Sequence, residues 1–342
     1  MSWTYPSGFD ATTALTYANF CQQAYFQYYI YSKMPPDFGF PPYSTVIQIP
    51  PPGYTLLYDI YYNEGVLFTD WVYFGYVAQN TTNTSELVFA IRGTMTAEEW
   101  YEDLLVANTG PSSINGVQGN VHQGFNSVYK SLVYCPTGQT PNGSNQVTLA
   151  NILSPPSPGV AATTAVVTGH SLGAAVAILM TADLAYNYSS TSSTPTSLTS
   201  LTCYSFAAPM VGDPTFAAAF NSLIGANSGA QITAHYRLAN GFDPVPNLPP
   251  NVFYNPSMEG LTTAGTFYYM QVNDYCPVDS GVMSIVADPH SLTSYATGLN
   301  YLITPPTSAD LERAGGRESR FAASMRSAAS RRAKATTPSS GG

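Results

Sequence analysis

The sequence predicts an α/β fold, a mostly parallel central sheet flanked by helices on both faces. Three observations predict it. After residue 160, β-branched runs alternate with helical apolar spacings, the pattern of parallel strands joined by crossover helices. One such run, Ala165-Val166-Val167-Thr168, passes through Gly169-His170-Ser171-Leu172-Gly173 into an Ala-rich stretch. Its apolar residues Ala174, Ile178, Leu179, Ala182 and Ala185 keep helical spacing. Finally, 44% of the 342 residues are hydrophobic and 13% aromatic, enough for a large core.

Taken in order, residues 10 to 25 read as a helix capped by Asp10, with Ala14, Tyr17, Ala18, Cys21, Ala24 and Tyr25 on one face. Residues 34 to 53 are a Pro-rich loop. Tyr54 to Tyr62 and Val66 to Val77 read as strands, with Asn63-Glu64-Gly65 turning between them. Leu87 to Ile91 is a buried strand, Met95 to Val106 an amphipathic helix, 107 to 120 a loop, and Phe125 to Tyr134 a helix. Polar connections at 135–160 and 189–200 read as surface insertions. Strands at 201–206 and 232–238 flank a helix at 213–224. A Pro-studded loop fills 243–256. The last helix spans about 290 to 303 and stops at Pro305-Pro306. We expect one domain over 1–305, opened by the N-terminal helix and Pro-rich loop of 1–53. A Ser/Ala/Arg-rich tail at 306–342 reads as solvated and disordered.

Only 9% of residues are charged, and the net charge is −9. Seven of the eleven basic residues lie in the 306–342 tail, all after residue 312, and the same tail holds three acids, Asp310, Glu312 and Glu318. The tail is thus +4, and the body, with four bases and seventeen acids, is −13. An acidic body excludes nucleic acid as a partner. No apolar run approaches the ~18 residues of a membrane span. The four cysteines, Cys21, Cys135, Cys203 and Cys276, allow two bridges, although Cys203 reads as a core residue. The first residues lack a basic and apolar leader pattern. Four Asn-x-Ser/Thr tripeptides begin at Asn80, Asn83, Asn142 and Asn187, a pattern that also arises by chance in so polar a chain. Sparse charge leans towards an extracellular setting, the missing leader towards a cytoplasmic one.

Strand, Gly-x-Ser-x-Gly and helix in succession place Ser171 on a tight turn, with unpaired helix amides beside it. Such a serine needs a base, and the base an orienting carboxylate, in the chain order Ser, Asp or Glu, His. Two histidines follow Ser171. His290, beside the last helix, suits a base better than His235, which sits inside a strand pattern. Asp243, in the rigid Asn240-Gly241-Phe242-Asp243-Pro244 loop after a strand, is the leading acid. Asp213 reads instead as a helix cap, and Asp288 is close to His290 in sequence. The tetrahedral intermediate needs two donors. The amide of Leu172 is one. Thr94, in the turn Arg92-Gly93-Thr94, is the candidate for the other. Beyond it, Met95, Trp100, Tyr101, Leu104 and Leu105 form an amphipathic candidate lid, against the alternative of an ordinary surface helix. This chemistry needs neither metal nor cofactor.

Together these stretches resemble the class 3 lipase family, the fungal-type triacylglycerol lipases of the α/β-hydrolase superfamily. The likeness runs from about 70 to 303. It rests on Val88 to Thr94, Trp100 with Asp103-Leu104, Val121 to Phe125, Gly169 to Ala174, Phe206 to Gly212, Asp243 to Pro246, and His290 with Tyr295. The resemblance implies Ser171, Asp243 and His290 as a triad, Thr94 and Leu172 as the oxyanion hole, and structural places for His122 and His170. One departure is Met210, where the family carries arginine. The expected activity is hydrolysis of acylglycerol esters, at a lipid–water interface. Other readings are a feruloyl esterase or phospholipase on the same machinery, or a lipase-like binding protein without turnover.

Overall fold

The computed structural model describes residues 5–32, 50–63, 71–94, 109–155, 159–189, 198–225, 232–255, 265–280, 289–305 and 307. Helix α1, Ala11–Ser32, is capped by Asp10, whose Oδ2 accepts from the Thr13 amide at 2.7 Å. It runs longer than the expected 10–25, because Phe26 and Tyr29 are buried along with Phe20, Cys21 and Tyr25. Strands β1 (Tyr54–Asn63), β2 (Trp71–Asn80) and β3 (Glu86–Ile91) pair antiparallel in sequence order. β4 (Thr109–Pro111) pairs with β5 (Asn120–His122), so the expected loop at 107–120 contains a small ribbon.

Helix α2, Gln123–Lys130, ends four residues before Tyr134. Residues Val133–Pro136 form β6 instead and pair with β1, so strand pairing overrides the local helical reading. The connection at 135–160 is not wholly superficial either. Its helix α3, Leu149–Leu153, buries Leu149, Ile152 and Leu153. Next come β7 (Thr164–His170), α4 (Leu172–Tyr188), β8 (Ser200–Phe206), α5 (Pro214–Ser222) and β9 (Ala234–Asn240). β10 (Val252–Asn255) and β11 (Gly265–Tyr268) make a separate pair. β12 (Tyr275–Val278) precedes the last helix, α6, Leu292–Ile303. We did not expect β12 from the sequence. It contains Pro277, and proline is confined to edge strands, which is where β12 lies.

The main sheet has the order β12-β9-β8-β7-β3-β2-β1-β6. From β12 to β3 all neighbours are parallel; from β3 to β6 all are antiparallel. Strand alternation sends side chains to two cores. Phe89, Val167 and Cys203 pack with α4, α2 and α5, while Val88, Val166 and Tyr204 pack with α1 and α6. α4 has little amphipathic character because it is covered nearly all round: Leu172 to Ala182 are all buried. This rigid strand–helix pair carries Ser171 between its two halves. The turn at 64–70, the helix expected at 95–106, most of the 189–200 connection and the tail from 308 lie outside the described residues.

Candidate active site

Ser171 stands between β7 and α4 with φ 59° and ψ −125°. Left-handed φ at a non-glycine residue is costly and persists only where the surroundings enforce it. Here the Ser171 amide donates to the Phe206 carbonyl at 2.9 Å, anchoring the turn to β8. The flanking glycines are needed because backbone passes too close. A Cβ on Gly169 would lie 2.2 Å from the Gly173 carbonyl oxygen, and one on Gly173 2.3 Å from that of Arg92. Ser171 is 3% exposed.

His290 and Asp243 reach the serine from separate elements. His290 precedes α6, whose cap is Ser291. Its Nε2 is 2.8 Å from Ser171 Oγ, and its Nδ1 is 2.9 Å from Asp243 Oδ2 and 3.1 Å from Oδ1. Asp243 follows β9 and is buried. Its carboxylate also accepts from the Val245 amide at 2.9 Å and the Tyr295 hydroxyl at 2.7 Å. Every one of these neighbours is a donor, which holds the carboxylate orientation. With Asp243 accepting at Nδ1, the neutral imidazole presents a bare Nε2 to the Ser171 hydroxyl.

The alternatives considered for base and acid lie elsewhere. His235 Nε2 bonds Ser205 Oγ at 2.9 Å inside the sheet, and burial pushes its pKa down to about 3. Asp213 caps α5 by accepting from the Phe216 amide at 2.8 Å. Asp288 lies outside the described residues.

Thr94 follows β3, half-buried, and Gly93 beside it packs against the serine turn. Among the described residues, the amides of Thr94 and Leu172 have no hydrogen-bond partner. Two unpaired donors thus flank the turn that carries Ser171. Met95, Trp100, Tyr101, Leu104 and Leu105 are outside the described residues. His122 caps α2, its Nδ1 accepting from the Gly124 amide at 3.0 Å, and burial pushes its pKa down to about 3. His170 bonds Tyr25 and the His290 carbonyl. All four cysteines are buried free thiols, so neither permitted bridge is present. Met210 is buried, its amide donating to the Leu248 carbonyl at 2.7 Å. Among the described residues no group of three His, Cys, Asp or Glu side chains is placed to hold a metal, and no helix is long and apolar enough to cross a membrane.

Sequence reasoning missed Tyr25 and Arg92 as parts of the site. Tyr25 falls on the apolar stripe of α1 and reads as core. Arg92 is buried, stacks 4.0 Å from the Tyr28 ring centroid, and donates from Nε to the Tyr73 carbonyl. Its one signal is a charged residue directly after an apolar strand.

The protein family described as Lipase (class 3) matches residues 88–253. A rice (Oryza sativa subsp. indica) protein named phospholipase A1-II 2 is 32% identical over 210 residues, covering 56% of this chain and 50% of its own length. A Fusarium solani protein named secreted mono- and diacylglycerol lipase 1 is 31% identical over 179 residues, covering 52% of this chain and 43% of its own. The chain spans about half the length of the curated relatives it matches. Among solved structures, the nonglycosylated Lip2 lipase of Yarrowia lipolytica aligns with a TM-score of 0.50 at 18% identity, over 81% of this chain and 82% of that one. That likeness is one of fold, the mostly parallel sheet of an α/β-hydrolase. The matched region begins in β3 and ends in β10, enclosing the serine turn and Asp243, and over that stretch the chain is similar to the class 3 lipases.

Proposed function

We propose that the chain is a serine carboxylic ester hydrolase acting on acylglycerol esters. The observation that carries this reading is the unbroken line Ser171 Oγ–His290 Nε2–Nδ1–Asp243 Oδ2, at 2.8 and 2.9 Å. His290 Nε2 takes the Ser171 proton as Oγ attacks the ester carbonyl, and Asp243 holds the resulting imidazolium. The carbonyl oxygen, now an oxyanion, accepts from the amides of Leu172 and Thr94. Leu172 opens the 17-residue helix α4, whose N-terminal dipole favours negative charge there. His290 then returns the proton to the departing alcohol. Water, deprotonated by the same imidazole, cleaves the acyl-enzyme to release the acid and free serine. The residues used, from Thr94 to His290, fall within the one hydrolase unit we propose over 1–305.

A second reading is phospholipid hydrolysis, favoured by the name of the rice relative. The deciding assay compares p-nitrophenyl butyrate and palmitate, emulsified triolein and phosphatidylcholine vesicles, using the full chain and Ser171→Ala. Turnover of palmitate and triolein that Ser171→Ala abolishes supports the acylglycerol reading. Preference for the vesicles moves the assignment to a phospholipase, and butyrate turnover alone to a short-chain esterase. Folded wild type that turns over no ester overturns the enzyme reading.

A further inference from the structure

Tyr25 lies on α1, remote in sequence from the serine turn, yet its hydroxyl sits between two parts of the site. The directions of its hydrogen bonds follow by elimination. The His290 carbonyl oxygen only accepts, so His170 Nε2, 2.8 Å away, carries a hydrogen. His170 is neutral, its pKa pushed down to about 3 by burial and, secondarily, by His290. Its Nδ1 is therefore bare and accepts. Tyr25 Oη, 2.8 Å from that nitrogen, donates to it and in turn accepts the Gly93 amide at 2.7 Å. One directed chain results: Gly93 amide to Tyr25, Tyr25 to His170, His170 to the His290 carbonyl. Its ends are the residue before Thr94 and the backbone of the base.

Gly93 is also held from its other side. Arg92 Nη1 donates to the Gly93 carbonyl at 2.6 Å. In a trans peptide the carbonyl and the next amide point in opposite directions. Pinning the Gly93 carbonyl on Arg92 therefore turns the Thr94 amide away from the guanidinium. There is no slack at this residue. A Cβ on Gly93 would lie 2.4 Å from Tyr25 Oη and 2.8 Å from Ser171 Cβ.

We propose that Tyr25 is a positioning residue for the ester-cleaving centre, its hydroxyl locking the turn that carries Thr94 to the backbone of His290 through His170. The inference rests on the reading of Ser171 as nucleophile and Thr94 as oxyanion donor. Without the hydroxyl, the Gly93 amide and His170 Nδ1 are both left unpaired in a buried site, and the turn is free to relax. Relaxation misplaces a donor that acts in the transition state more than in substrate binding.

The test is Tyr25→Phe, which keeps the ring, assayed on p-nitrophenyl butyrate. Rates are taken per serine titrated with a p-nitrophenyl phosphonate, so that unfolded molecules do not count. We expect kcat to fall roughly 10- to 100-fold with KM within about threefold, below the full loss of an oxyanion donor. His170→Phe should fall similarly. The double variant should fall no further than the worse single one, because both break one chain. Tyr25→Phe within twofold of wild-type kcat, or a double variant whose losses multiply, overturns the proposal. Should Tyr25→Phe leave no titratable serine, His170→Phe decides by the same limits. Ser171→Ala is assayed alongside: wild-type turnover in that variant defeats the parent reading, whatever Tyr25→Phe does.

Discussion

Tyr295 Oη donates to Asp243 Oδ2 at 2.7 Å while accepting the Asn240 amide at 3.0 Å. The same hydroxyl thereby joins α6, which His290 precedes, to the end of β9, from which Asp243 follows. Tyr295→Phe removes both bonds but keeps the buried ring. We expect a loss of about 1–2 kcal/mol of stability and a several-fold fall in kcat with KM little changed. Thermal melts and ester kinetics on one preparation check both, and an unchanged kcat would make this contact structural only.

Asp243→Asn keeps the shape of the site but replaces the acceptor of the His290 Nδ1 hydrogen. The imidazole then favours the tautomer that cannot take a proton from Ser171. A fall of about 10³–10⁴ in kcat is expected, with the melting temperature close to wild type. A fall under tenfold would remove Asp243 from the triad.

Gly173→Ala brings a methyl group against the Arg92 and Ile91 carbonyl oxygens, 2.3 and 2.6 Å from the ideal Cβ position. Both are backbone atoms at the end of β3, so the strain passes to the turn carrying Thr94. A loss of about 2 kcal/mol or more is expected, together with activity. Denaturant titration measures the first, and kcat per folded molecule the second.

Stability should respond to pH through buried groups in two opposite ways. Burial pushes His122, His170 and His235 from the ordinary 6.5 down to about 3. Between these values the unfolded chain binds more protons than the folded one. Their contribution is therefore complete above pH 6.5 and is lost as the pH falls towards 3. Asp59 does the reverse, since burial raises its carboxyl from 3.8 to about 6. Its contribution is complete below pH 3.8 and is lost as the pH rises towards 6. Asp59 Oδ2 accepts from Tyr31 and the Gly138 amide, while Oδ1 is buried without a partner. Asp59→Asn should thus be on the order of 1–3 kcal/mol more stable than wild type at pH 7, and close to it at pH 4. Melting temperatures from pH 4 to 8 decide it; a constant difference across the range would contradict the assignment.

The buried free thiols give a simple check. Burial pushes Cys21, Cys203 and Cys276 up to about 12. A reductant should leave the melting temperature unchanged, and an aromatic disulfide reagent should label the folded protein slowly. A reductant-dependent drop of several degrees would mean a bridge.

By itself the sequence determined the elements whose signal is local. The β-branched run, the two glycines and the Ala-rich helix mark the Ser171 turn, because backbone crowding demands glycine there. The chain order of serine, acid and histidine, and the loop positions of Asp243 and His290, narrowed the partners. Asp10 and Asp213 were legible as caps, since a cap bonds within three residues of itself. Tertiary structure decided what depends on distant neighbours. Val133–Pro136 becomes a strand because β1 offers an edge, and Leu149–Leu153 enters the core although polar residues surround it in sequence. Tyr25 and Arg92 show the same limit at the site. A tyrosine on an apolar helix stripe and an arginine after a strand carry no local mark of function. Their hydroxyl and guanidinium acquire one only when folding brings Gly93 and His170 within hydrogen-bond reach, and hydrogen bonds act over about 3 Å regardless of sequence separation.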